Sequence, residues 1–158
     1  MKNKLLLIFL ICSLVTTAQT PCVNGFATVG GKSYPCNGLT LQSYISAATM
    51  NAAEAQDSWG WTDPQSGKEY AIVALDNGTA FVDISNPTNP KYLARLNTQV
   101  SSSLWRDVKV YKDHAFIVSD ANGNHGMQIF DLRRLRTLTG SSPVTFTKLQ
   151  TDGNLFWD

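Results

Sequence analysis

Two stretches of this chain repeat one another about 46 residues apart. Trp59 to Ser85 reads WGWTDPQSGKEYAIVALDNGTAFVDIS, and Trp105 to Leu132 reads WRDVKVYKDHAFIVSDANGNHGMQIFDL. Each has a Trp-led segment, an apolar run (YAIVAL, HAFIVS), an Asp/Asn/Gly turn, and a second apolar run ending in VDI or FDL. Several short strands per unit, with a period of roughly 40–50 residues, predict an all-β fold assembled from β-propeller blades. Both apolar runs lack polar alternation, as expected of strands covered on both faces.

The pattern divides the chain. Residues 57–158 carry the repeats, blade one over about 57–100 and blade two over about 101–150, with the start of a third in Leu155–Asp158, which echoes Leu104–Asp107. The first blade is expected to use strands at Ser58–Thr62, Glu69–Leu75, Thr79–Ile84 and Lys91–Leu96. The second is expected to use Asp107–Tyr111, His114–Ser119, Met127–Leu132 and Thr145–Leu149. Asp76-Asn77-Gly78 suits a tight hairpin turn, because Asn-Gly accepts positive φ. A ring needs roughly four to eight blades. About two four-stranded blades make a partial propeller, so the expectation is the N-terminal fragment of a longer protein.

Upstream, Lys2 and Lys4, the apolar run Leu5–Val15 and Thr16-Thr17-Ala18 have the layout of a secretory signal peptide over residues 1–18, cleaved after Ala18. Ile11 is too bulky to precede a lipoprotein cysteine at Cys12. Loss of the two lysines takes the formal charge from +1 to −1. That near-neutral balance argues against nucleic acid as a partner, and no other segment is apolar enough for a transmembrane helix after signal removal. Export leaves Cys22 and Cys36 as one pair, which favours a disulfide over metal ligation, since no histidine lies near either. A loop of about 15 residues closed this way contributes roughly 3 kcal/mol in the chain-entropy model. Residues 19–56 are therefore expected to form a stapled N-terminal segment. Leu41, Tyr44, Ile45 and Ala48 add a short helix within Leu39–Gln56 by their spacing.

The runs WGWTDPQSGKEYA, GTAFVDISNPTNP and SSSLWRDVKVYKDHAFIVSDANGNHGMQIFDLRRLR, with PCVNG and YPCNG upstream, resemble the choice-of-anchor B family over about residues 21–150. These are secreted, mostly bacterial proteins with LVIVD-type propeller repeats. The resemblance implies an exported, cell-surface-displayed protein whose surface anchor lies in a C-terminal part beyond this sequence. It supplies no catalytic residues.

The most suggestive candidate for chemistry is Asp120-Ala-Asn122-Gly-Asn124-His125-Gly126. Oxygen-bearing side chains at Asp120, Asn122 and Asn124, with Asp131 eleven residues after the first, resemble a calcium loop. Position six is His125 rather than glycine, and Asp131 aligns with Asp83 of the first repeat. An enlarged polar hairpin loop is the better account, and no cofactor is assigned. The two histidines, His114 and His125, are too few for a His-rich zinc site, and no G-x-S-x-G elbow occurs. Asp83 and Asp131 each end a strand and are expected to accept backbone N–H bonds from the following turn. Trp59, Trp61 and Trp105 would stack on sugar rings if exposed. Trp59 and Trp105 lead the two repeats, which favours packing between blades. Asn77-Gly78-Thr79 is formally a glycosylation sequon, in a position that turn chemistry explains.

The function expected from these features is a secreted, non-catalytic propeller that binds an extracellular protein or glycan. The alternative is a secreted hydrolase or lyase whose tunnel site is completed by blades outside this sequence. N-terminal sequencing of the exported protein should read Gln19-Thr20-Pro21. Retention of residues 1–18 on the exported chain would overturn the signal assignment.

Overall fold

A computed structural model describes residues 19–140 and 142–147, and the backbone of 155–156. The expected signal peptide and Cys12 lie outside the described residues. The chain is mostly β, in three antiparallel-based sheets with two short 3-10 turns. Strands β1 (Phe26–Val29) and β2 (Lys32–Pro35) form a small hairpin closed by Gly30 and Gly31, both at positive φ as a tight two-residue turn requires. Cys22 and Cys36 flank this hairpin and are disulfide-bonded, with Cα atoms 5.9 Å apart.

The first large sheet runs through β3 (Ala55–Thr62), β4 (Glu69–Leu75), β5 (Gly78–Asp83) and β6 (Lys91–Asn97) as an antiparallel meander. The second runs through β7 (Arg106–Tyr111), β8 (His114–Ser119) and β9 (Met127–Asp131). A 3-10 helix over Leu132–Thr137 follows, begun by Asp131, whose side chain accepts from the Arg133 N–H. The strands expected in these regions are present, within a residue or so except at the start of β3.

Two expectations change. The strand near Thr145–Leu149 does not complete the second sheet. Instead β10 (Val144–Phe146) lies parallel to β6 and becomes the fifth strand of the first sheet, while β11 (Leu155–Phe156) pairs with β9. The free edge of β6 offers unpaired backbone groups, and the β6 position buries the Phe146 ring 5.0 Å from Phe130. The backbone of Leu155 and Phe156 thus extends the edge of the second sheet. The expected helix within Leu39–Gln56 is reduced to a 3-10 turn at Ala48–Met50. Leu41 is held in a backbone bridge to Thr20, Asn51 turns left-handed at φ 63, and β3 takes up Ala55 and Gln56.

The two large sheets pack face to face. Tyr70, Ile72, Ala74 and Phe81 of the first meet Val108, Ala115, Ile117 and Phe130 of the second in one continuous core. Phe81 and Phe130 stack with centroids 4.4 Å apart. The opposite face of the first sheet, with Ala71, Val73, Ala80 and Val82, is covered by Ile45, Met50 and Ala52 of the N-terminal segment. Both faces of β4 and β5 are therefore occupied, which is why YAIVAL and TAFVD carry no alternation.

Matching YAIVAL to HAFIVS makes Ile72 equivalent to Phe116, and Val73 equivalent to Ile117. In the structure Ile72 points into the shared core from one side and Ile117 from the other. Repeat-related sheets thus pack front to back, not front to front. Phe116, Met127 and Ile129 on the front of the second sheet are half-buried, Val118 is exposed, and Tyr111 is 67% exposed. Ile72→Ala should therefore cost about 3 kcal/mol, while Phe116→Ala at the equivalent open position should cost about 1 kcal/mol or less. Urea denaturation of the two variants checks this; equal losses would contradict it.

Candidate functional site

The strand ends at Leu75, Asn97 and Ser119 and the strand starts at Ala55, Gly78, Arg106 and Met127 all meet at one end of the two sheets. The loops joining them and the adjoining strand ends carry most of the buried polar side chains among the described residues. Arg106, at the first position of β7, is only 1% exposed. Alternation along β7 points it, with Val108 and Val110, toward the first sheet. Its Nε donates to Leu75 O at 2.8 Å, Nη2 donates to Thr98 Oγ1 at 2.7 Å, and Nη1 meets His125 Nε2 at 2.7 Å. One guanidinium thereby holds the ends of β4 and β6 and the β8–β9 loop. Burial pulls the Arg106 pKa down to about 10 against the opposing charge of Asp76. The side chain still carries its charge at neutral pH.

Around it the polar groups are satisfied largely by backbone. Asp76 accepts from the Ala53 and Glu54 N–H groups, and Arg95 donates to Met50 O, Asn51 O and Asn77 O. Asn77 itself donates to Asn51 O and accepts from Arg95, so the sequon side chain is a turn element tied to the N-terminal segment. Gly78 completes the turn because a Cβ there would stand 2.5 Å from Leu96 O.

Register sets the two carboxylates of the calcium-like pattern far apart. Asp120 follows the last residue of β8, whereas Asp131 pairs with His114 at the other end of the same strand. At about 3.3 Å per residue they lie on the order of 20 Å apart. Asn122 is buried and committed to Ser101 and Ser119, and Asn124 belongs to the same loop. Among the described residues, no three His, Cys, Asp or Glu side chains are grouped to hold a metal. Asp83 and Asp131 do what their position suggested: each accepts the backbone N–H two residues on, from Ser85 and Arg133. Lys68 and Arg133 pair with them. The Arg133 hydrogen bond holds the Asp131 carboxyl below its usual range, and the Ser85 and Lys68 bonds do so for Asp83 against its burial.

The opposite end carries a second cross-sheet pair. Arg136 of the 3-10 helix donates from both Nε and Nη2 to the fully buried Asp63, which also accepts from Ser66. Arg136 foremost holds that carboxyl well below the ordinary range. Between the two ends, β3 and β7 run side by side. Asp57 accepts from the Val108 N–H and from Lys109, and the Lys109 ammonium sits 4.8 Å above the Trp59 ring.

The tryptophans divide differently from expectation. Trp61 is buried against Tyr70, but Trp59 is 44% and Trp105 68% exposed. Register explains the difference. Trp61 pairs with Tyr70 and Tyr111 with His114, so the repeat equivalents are Trp61 and Tyr111, and Trp59 corresponds to Lys109 rather than Trp105. Arg106 went unnoticed in the sequence. Its signal is a lone arginine in line with the apolar inward-facing positions Val108 and Val110 of β7.

Residues 66–98 match the LVIVD repeat model. No curated protein and no solved structure gives a match. The matched span contains the strands β4, β5 and β6. Among the described residues no helix is long and apolar enough to cross a membrane.

Arg106→Ala leaves a carbonyl, a hydroxyl and an imidazole without their donor and should destabilise the chain by about 3 kcal/mol or more. Arg106→Lys should recover less than half of that, since an ammonium cannot span all three partners. Chemical denaturation gives both values. A loss within about 0.5 kcal/mol for the alanine variant would refute the assignment.

Proposed function

We propose that this chain is the leading part of a secreted, surface-displayed β-propeller of the choice-of-anchor B kind, and that it binds an extracellular partner without catalysis. The front-to-back contact between repeat-related sheets supports the architecture. A head-to-tail interface leaves the front of its last sheet unsatisfied, and a further repeat would cover that face. The front of the second sheet, with Tyr111, Phe116, Val118 and Ile129, is such a face. In this reading β3 and β7 are the innermost strands and border the central tunnel. The leader-like residues 1–18 and the Cys22–Cys36 bond support an oxidising, extracytoplasmic setting.

The observation that carries the binding role is the exposure of Trp59 and Trp105 on or beside those inner strands. A water-exposed indole gives a rigid, broad contact for a sugar face or a protein side chain at little entropic cost. Trp105, 68% exposed among the described residues, is the anchor, and Trp59 with its stacked Lys109 supplies a second, cationic contact. A glycan and protein array probed with the intact chain should return a ligand. Trp105→Ala should weaken that ligand by about tenfold or more with an unchanged denaturation midpoint. An array without ligands, beside turnover of a sugar, lactone or phosphoester, would replace this reading with an enzymatic one.

A further inference from the structure

The contact between Arg106 and His125 constrains the protonation state of the loop at 120–126. Both side chains are 1% exposed, and their nitrogens are 2.7 Å apart. A guanidinium only donates hydrogen bonds. Nε2 of His125 must therefore be the acceptor, with the ring neutral and its proton on Nδ1, donated to Gly126 O at 2.8 Å. A proton on Nε2 removes the lone pair that receives Arg106 and sets two cations against each other away from water.

The surroundings provide no relief. Among the described residues neither side chain has a carboxylate hydrogen-bond partner. Asp76, from the β4–β5 turn, acts on Arg106 but spends its hydrogen bonds on Ala53 and Glu54. Asp120, the carboxylate of the loop itself, is exposed. Leu75 O and Thr98, the other groups on Arg106, are uncharged. The loop is also suited to move as a unit. Ala121, Gly123 and Gly126 all hold positive φ, and among the described residues its other side-chain anchors are Asn122 on Ser101 and Ser119 and the Ser103 hydroxyl on Asp120 O.

We propose that the His125–Arg106 contact is an acid-released latch, which holds the 120–126 loop over the junction of the two sheets at neutral pH and frees it when His125 takes a proton. The direction follows from linkage. Burial, together with the Arg106 charge, lowers the His125 pKa below the ordinary value of 6.5, which the ring regains once the loop opens. The open form then binds more protons, so the latch is fully effective above pH 6.5 and weakens as the pH falls below it. Asp120 donates its N–H to Trp105 O at 2.8 Å, so release also loosens the backbone carrying Trp105. Only that last consequence for ligand binding rests on the proposed function; the latch itself does not.

The test is an NMR titration of the intact chain that follows the His125 ring nitrogens and the hydrogen-exchange protection of the 120–126 amides. The expected result is a neutral Nδ1–H ring at neutral pH, with loop protection falling about tenfold for each pH unit below 6.5 until the native ring itself titrates. His125→Gln presents an amide oxygen to Arg106 and cannot be protonated, so its loop protection should stay level with pH. A ring already cationic at pH 7, wild-type protection that does not change with acid, or an equal acid loss in His125→Gln would each overturn the latch. The wild-type titration decides even if the glutamine variant fails to fold. Array binding lost in acid together with protection would extend the latch to the ligand, whereas a silent array leaves the protection result standing as its own test.

Discussion

Everything in the larger part of this molecule hangs on one apolar contact, the front of the first β-sheet against the back of the second. Neither sheet can shield its own faces, because β4, β5 and β8 are apolar on both sides. The rings of Phe81, Phe130 and Phe146 fill the middle of that contact, and β10 is drawn across to the first sheet to deliver the third of them. Since the second sheet is a copy of the first, the same contact that satisfies one face leaves the copy's equivalent face waiting. The half-buried Phe116 and exposed Tyr111 follow from the translation of a single packing solution.

Apolar packing alone sets distance better than rotation. Here polar contacts at three levels fix how one sheet sits on the other: Arg106 and Gln128 at the loop-rich end, Asp57 with Val108 and Lys109 along the first strands, and Asp63 with Arg136 at the far end. They differ in chemistry. Asp63 and Arg136 are a charge pair with two donors from one guanidinium, a geometry that neutralises both partners. Arg106 has no such counter-ion and is held by a carbonyl, a hydroxyl and a neutral imidazole. Each of those acceptors sits on a different segment, so a rotated sheet would leave a buried donor unpaired at the cost of several kcal/mol. The buried cation thereby acts on geometry more than on net stability.

Much of the fold could be read from the residues because hydrophobic runs and turn chemistry are local. Turns bound Glu69–Leu75 and His114–Ser119 as their sequence dictates, Asp76-Asn77-Gly78 closes a hairpin, and Asp83 and Asp131 serve the turns after them. The errors share a cause. Ala-rich Leu39–Gln56 has helical spacing, yet its two ends are claimed by a bridge to Thr20 and by β3. Trp59 and Trp105 look equivalent by name, yet strand register pairs Trp61 with Tyr111. In each case spacing along the chain was translated into space with the wrong local geometry.

The amino-acid sequence by itself determined the repeat, the β-class and the pairing of Cys22 with Cys36, because those depend on periodicity and composition that survive in one dimension. Only the tertiary structure decided that the repeats stack front to back, that Phe146 serves the first sheet, and that Arg106 and His125 share one buried site with Leu75 O. Those outcomes turn on which buried donors find acceptors across segments, and such complementarity exists only once the sheets have met.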